Sequence, residues 1–169
     1  TPLKLEFEEA PAPKLLLEQE PPAIDSSGEP SLGLWIHDED LLLEKSPLAR
    51  YRPASIAAFS PTGVWQTHGY SAPKREFLRL ALADGAARAS EHFGVDAVRQ
   101  GAEDLPGAIA GWASDSRLDT VVASRPFVGP LADQLEAIAA ALEAGGVRLV
   151  LVRRPTDVAV MNRATAGFF

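Results

Sequence analysis

The sequence predicts an α/β fold of the Rossmann-like type, with three layers in which helices cover both faces of a five-stranded parallel sheet. Short apolar runs of about five residues alternate along the chain with longer helical patterns, and the connections suit right-handed crossovers. The first run is apolar at nearly every position, which is typical of a strand buried on both faces. We therefore predict the strand order 3-2-1-4-5, with the first strand in the middle.

The first strand is predicted over residues 32 to 36, Leu-Gly-Leu-Trp-Ile. It ends abruptly at the four consecutive polar residues His37, Asp38, Glu39 and Asp40. In an open parallel sheet, ligands bind in the crevice outside the carboxyl ends of the strands. These four side chains are therefore the first candidates for ligand binding.

Proline and glycine residues divide the rest of the chain into segments whose apolar spacing separates strands from helices. Further strands are predicted over residues 55–59, 96–99, 119–123 and 147–152. Helices are predicted over residues 73–93, 105–114 and 130–144, with a short helical turn over 46–51. Residues 60–63, Ser-Pro-Thr-Gly, are predicted to break the chain.

Composition limits the possible functions. With 169 residues, 46% of them hydrophobic, the chain can bury one core of ordinary size. The net charge of -7 argues against a free-standing nucleic-acid binder, because phosphate contacts need clustered Lys and Arg. The chain has no cysteine, which excludes disulfides, thiol nucleophiles and cysteine-based metal sites.

The chain is predicted to have two parts, a linker over residues 1–30 and the α/β domain over residues 31–169. The first 30 residues contain six prolines and six glutamates, a density that is incompatible with a regular helix or a central strand. We expect an extended acidic linker, with docking of Leu15, Leu16 and Leu17 on a neighbouring surface as the alternative. No apolar run is long enough to span a bilayer and no secretion signal is evident, so we expect a cytoplasmic protein without a membrane partner.

A second group of polar residues, Ser124 and Arg125, follows the fourth predicted strand, across the switch point from the first. An imidazole and carboxylates in the 37–40 loop are able to bind a divalent ion, but four adjacent residues cannot all point at one ion. A solvated loop that caps the next segment is the simpler interpretation. Arg125 is placed to meet an anion, with a surface arginine in a turn as the alternative. The crevice between residues 37–40 and 124–130 is the predicted ligand position.

Familiar catalytic motifs are not evident in this sequence. No glycine-rich phosphate loop follows the first strand, and no Ser, His and Asp set stands at predicted strand ends. No catalytic or metal-binding residue is therefore predicted. The larger aromatic residues are predicted to fill the core and not to stack on bases or a cofactor. They are Trp35, Trp65, Trp112, Phe59, Phe77 and Phe93.

Several segments resemble the photolyase and cryptochrome family. The α/β domain of that family opens with a strand, a Trp-Phe-Arg-Arg-Asp-Leu-Arg-like stretch and an Asn-Pro-Ala-Leu-like turn, and residues 34–36 and 46–48 resemble the two ends of this region. Residues 75–78, Arg-Glu-Phe-Leu, resemble the family's Arg-x-Phe-Leu helix. Residues 164–169 resemble a tail found in bacterial relatives. The resemblance covers residues 32 to 169.

The resemblance implies that this chain is the α/β domain of a flavoprotein for DNA repair or light sensing, and that it docks against a separate helical FAD-binding domain. FAD and any DNA contact would belong to that helical domain, so the chain alone is expected to bind no cofactor and to be catalytically silent. In this family the α/β domain can carry an antenna folate or deazaflavin. His37, Asp38 and Glu39 stand where the family often has Arg, Arg and Asp, which removes positive charge and disfavours an anionic ligand there.

Two other functions stay open. The first is a small-molecule-binding or hydrolytic α/β enzyme that uses the loop from His37 to Asp40. The second is an interaction domain without a ligand. A helical domain encoded beside this segment would favour the flavoprotein over both.

Overall fold

The computed structural model describes residues 31 to 155 and residue 157. In this part of the chain, five parallel strands form one sheet in the order β3-β2-β1-β4-β5. The strands are β1 (Leu32–Ile36), β2 (Ser55–Ser60), β3 (Ala97–Gly101), β4 (Thr120–Ser124) and β5 (Arg148–Val152). The predicted fold class and strand order are confirmed. The predicted linker over residues 1–30 and the tail over residues 164–169 lie outside the described residues.

Four α-helices and three short 3₁₀ helices connect the strands. The α-helices are α1 (Thr62–Thr67), α2 (Ala72–Phe93), α3 (Leu105–Asp115) and α4 (Leu135–Ala144). The 3₁₀ helices cover Leu43–Lys45, Pro47–Arg50 and Ala132–Gln134. The last of these replaces the first turn of the helix predicted over residues 130–144.

The central strand β1 explains why its sequence is apolar without alternation. All five of its residues are buried. Leu34 and Ile36 belong to the core under α2, whereas Trp35 belongs to the core under α3 and α4. Gly33 lies against the second core, where a Cβ atom would stand 2.3 Å from the Leu118 side chain. A small residue is therefore needed at position 33 for the helix layer to approach the sheet.

Helix α2 begins one residue before the predicted start and ends at the predicted residue. The Ser71 side chain accepts a hydrogen bond from the Lys74 N–H, which is a helix N-cap contact. Gly94 ends the helix in the left-handed conformation, with φ of 68°. Glycine adopts this conformation without the steric cost of a Cβ atom.

Two predictions about this region are wrong. Residues 60–63 do not simply break the chain, because helix α1 begins at Thr62 and the rigid φ of Pro61 suits the start of a helix. Phe77 was predicted to lie in the core, but its side chain is 69% exposed. A helix of 22 residues spans about 33 Å, whereas strands of five or six residues span only about 17 to 20 Å. The first half of α2 therefore extends past the sheet and buries little.

Candidate functional site

The carboxyl ends of β1 and β4 meet at the switch point and bring His37 beside Ser124. The His37 ring is buried, and its Nε2 lies 2.8 Å from the Ser124 carbonyl oxygen. The Glu39 N–H donates to His37 Nδ1 at 3.3 Å, so the proton of the neutral ring belongs on Nε2. Burial lowers the pKa of His37, and the Ser124 carbonyl and neighbouring carboxylates offset only part of that effect. His37 is therefore a neutral side chain that joins two strands.

Asp40 is the centre of a second set of contacts at the same place. Its Oδ2 accepts a hydrogen bond from Ser124 Oγ at 2.5 Å, and its two oxygens accept hydrogen bonds from the Arg154 guanidinium. Burial raises the pKa of Asp40, but the bonds from Arg154 and Ser124 outweigh it and leave the pKa below its usual value. Asp40 is thus an ionised acceptor whose oxygens already have donors.

Asp38 and Glu39 have other hydrogen-bond partners than Asp40 has. Asp38 Oδ2 accepts a hydrogen bond from Trp65 Nε1 at 3.0 Å, and Glu39 Oε2 accepts one from the Phe127 N–H at 2.6 Å. Among the described residues, no group of three or more His, Cys, Asp or Glu side chains is placed to hold a metal ion. The four residues of this loop therefore bind different polar groups of the protein.

Five of the six predicted site residues line one crevice, whereas His37 is buried and does not line it, and most of their polar groups contact protein. Ser124 is buried, and the Arg125 N–H donates to the Val152 carbonyl oxygen. A cavity of about 310 Å³ lies here, lined by acidic loop residues 38–40, Phe127 and Arg154 among others. Arg154 was missed by sequence reasoning. Its position two residues after β5, next to β4 in the sheet, is the signal that could have indicated it.

A larger cleft lies on the other side of the switch point, between the first half of α2 and the carboxyl ends of β2 and β3. Its volume is about 580 Å³. This cleft was not predicted from the sequence. The spacing of Arg75 and Arg79, which places both on one side of α2, is the signal that was available. Arg99 comes from β3 and is in register with Ala58 of β2, so both side chains point to the α2 face.

The walls of this cleft combine apolar side chains with cations. Ala58, Trp65 and Leu82 supply buried apolar surface. Arg79 is paired with Glu76 through two hydrogen bonds of 2.8 and 2.7 Å. Neither Arg75 nor Arg99 forms an ion pair with another residue in the described part of the chain. The cleft therefore presents two arginines that have no carboxylate partner there beside an apolar floor.

Comparison of the chain with protein-family models, with curated proteins and with solved structures finds no match in any of the three. Within the described residues, no helix has both the length and the apolar character needed to cross a membrane. The fold and these two cavities are accordingly the structural observations that bear on function.

Proposed function

We propose that this chain is the α/β domain of a photolyase-like or cryptochrome-like flavoprotein, and that it holds a small anionic antenna chromophore in the cleft between α2 and β3. FAD belongs to a separate helical domain in this proposal, and DNA is reached only through that domain. The ligand part of the proposal depends on one observation, the cleft of about 580 Å³ with Arg75 and Arg99 at its walls. Its volume is in the usual range for small-molecule sites.

The cleft suits such a chromophore better than the crevice at the switch point does. The crevice is about half as large, and its lining has four carboxylates, Asp38, Glu39, Asp40 and Asp157, against two arginines, so its net charge repels an anion. The polar atoms of Asp40 and His37 are already engaged by Ser124, and those of Asp40 also by Arg154. A ligand in the crevice would have to displace these internal contacts. The ligand position that we propose is therefore on the α2 side of the sheet and not at the loops predicted from the sequence.

The residues of the cleft fit a folate or deazaflavin chromophore in two respects. The aromatic ring of the chromophore would lie on the apolar surface of Ala58, Trp65 and Leu82. Its anionic tail would pair with Arg75 and Arg99, since guanidinium groups bind carboxylate and phosphate through two parallel hydrogen bonds. Both arginines are exposed at the cleft, so the tail would keep contact with solvent.

Exposed apolar residues on α2 support the docking part of the proposal. Phe77 and Leu80 are 69% and 53% exposed, and their spacing of three residues makes them neighbours on the helix surface. Adjacent exposed apolar side chains of this size are typical of interaction surfaces. The hydrolytic alternative has less support, because Asp40 and His37 serve as structural acceptors and donors in the described structure.

The ligand is tested by titrating the purified chain with a reduced folate and, separately, with a deazaflavin, following chromophore fluorescence. We expect saturable binding of one of them. Arg75→Ala and Arg99→Ala should each weaken binding by roughly 10-fold to 100-fold, the usual cost of a lost charge-assisted hydrogen bond. Arg148→Ala, an equal charge change at the exposed start of β5, is the matched control and should have no effect. Absence of saturable binding by either chromophore, or an equal loss in the control, would overturn the ligand proposal.

The assignment of FAD to a separate domain is tested by the absorption spectrum of the same purified chain in the near-ultraviolet and blue range. We expect no flavin band, because FAD would need a larger enclosing surface than either cavity supplies. A stoichiometric flavin band from this chain alone would contradict the assignment of FAD to another domain.

A further inference from the structure

Strand β3 is an edge strand whose outer side pairs with no other strand in the described part of the chain, although the Ala97 N–H at its start donates to Ser90 Oγ. It pairs with β2, and four of its five residues are exposed. Val98, a large apolar residue, is 44% exposed. An uncovered edge offers a row of unpaired N–H and C=O groups, and proteins usually cover or blunt such edges. The edge of β3 is therefore a surface to which another strand can be added.

A suitable strand is present near the start of the sequence. Residues 3 to 8, Leu-Lys-Leu-Glu-Phe-Glu, alternate between apolar and charged side chains, a period that is typical of a strand with one apolar face. Proline stands at positions 2 and 11 but not within this segment, and an edge position tolerates flanking prolines. The rest of the first 30 residues has no comparable alternation. We propose that residues 3 to 8 pair with the outer edge of β3 as a sixth strand.

The two faces of β3 match the two faces of this segment. Val98 and Gln100 are in register with Ala57 and Phe59 and so point to the α3 side, whereas Arg99 points to the α2 side. A strand with Leu5 and Phe7 on one face would cover Val98. Its other face carries Lys4, Glu6 and Glu8 and would bring the two glutamates near Arg99, where opposite charges on adjacent strands attract and where these carboxylates would compete with an anionic ligand for Arg99.

The chain between residues 3–8 and β1 is long enough for this pairing. A second copy of the protein is a less favourable partner for the edge of β3. The 22 residues from position 9 to position 30 span about 26 Å on average as a flexible chain. A strand outside β3 would lie three strand spacings, or roughly 15 Å, from β1 across the sheet. Antiparallel pairing of β3 with β3 of a second copy, centred on Arg99, would place like charges opposite each other, which is unfavourable. The intramolecular strand is the occupant that charge and pattern favour.

Because the chain has no cysteine, a pair of introduced cysteines reports proximity directly. We would combine Gln100→Cys with Leu5→Cys or Phe7→Cys in the full chain and measure intramolecular disulfide formation in a glutathione buffer. Gln19→Cys with Gln100→Cys is the control, because an unstructured tether closes the shorter loop at least as easily. We expect one of the two test pairs to form its disulfide at least 10-fold more favourably than the control pair. Equal values, or disulfides between two molecules, would overturn the proposal.

A second measurement follows amide exchange in β3 without introduced cysteines. Amide hydrogen exchange of residues 97–101 should be slow in the full chain, and Glu6→Pro or Phe7→Pro should speed exchange of the outward-facing amides at least 10-fold, since successive N–H groups point to opposite edges of a strand and one of these two pairs with β3. Gln19→Pro is the control and should leave exchange unchanged. The thermal unfolding transition of each variant establishes that it is folded. If Glu6→Pro and Phe7→Pro are both folded and both exchange like the control, the sixth strand is excluded. Neither measurement involves a ligand, so the outcome is separate from that of the proposed chromophore.

Discussion

Arg154 and Asp40 form an ion pair that joins the segment after β5 to the loop after β1, across the intervening strand β4. Arg154 Nη2 lies 2.5 Å from Asp40 Oδ1, and Arg154 Nε lies 3.2 Å from Asp40 Oδ2. Ser124, at the end of β4, donates to the same carboxylate. Three neighbouring strands are thus connected at their carboxyl ends through one acidic side chain.

We predict that Arg154→Met lowers the free energy of unfolding by about 1 to 3 kcal/mol, because it removes charged donors from a largely buried carboxylate. Denaturation in urea measures this change. Arg148→Met, which changes an exposed arginine of β5, is the control and should alter stability by less than about 0.5 kcal/mol. Equal effects of the two substitutions would show that the pair contributes nothing of its own.

We predict that stability falls as the pH is lowered from about 7 toward 5. The folded state holds His37 neutral with a lowered pKa, whereas the unfolded chain takes up a proton near pH 6.5, so the unfolded state binds more protons in this window. Asp40 adds nothing there, since its pKa is lowered and its contribution is lost only at more acidic pH. Urea midpoints measured across this range should show a smaller pH dependence in His37→Gln. An unchanged dependence in that variant would assign the effect to other groups.

We predict that Trp35→Ala costs about 3 to 5 kcal/mol, as expected for a large aromatic residue in a packed core. Phe77→Ala is an aromatic control on the exposed half of α2, and its effect should stay within about 0.5 kcal/mol. Chemical denaturation of both variants gives the comparison. A cost of Trp35→Ala well below about 1 kcal/mol would be inconsistent with the central position of β1.

Alanine substitution should change the free energy of unfolding in opposite directions at Gly33 and at Gly111. In Gly33→Ala the new Cβ atom would meet Leu118 at 2.3 Å and Trp112 at 2.7 Å, so we expect destabilisation of about 1 to 3 kcal/mol. In Gly111→Ala, within α3, the Cβ atom meets nothing within 4 Å, and helix propensity predicts stabilisation of up to about 1 kcal/mol. Thermal unfolding of the two variants distinguishes these signs. Destabilisation by Gly111→Ala would contradict the open space beside it.

The local sequence pattern was sufficient to predict the fold of the described part of the chain. The continuous apolar run over residues 32–36 indicates a central strand, because only a strand covered on both faces has no polar positions. Ser71 and Gly94 mark the ends of α2, because capping depends on a few adjacent residues. Crossover handedness then limits the strand order to a small number of choices, and the observed order is the predicted one.

The partners of the polar side chains were decided only by the tertiary structure. The sequence placed residues 37–40, Ser124 and Arg125 at one crevice, but it did not indicate that Arg154 would bind Asp40 or that Trp65 would bind Asp38. These contacts join residues 114 and 27 positions apart, and no local pattern encodes them. The exposure of Phe77 and the cleft beside Arg75 arise because α2 is longer than the strands beneath it. That relation depends on how two separate elements are placed, which the spacing within either one does not specify.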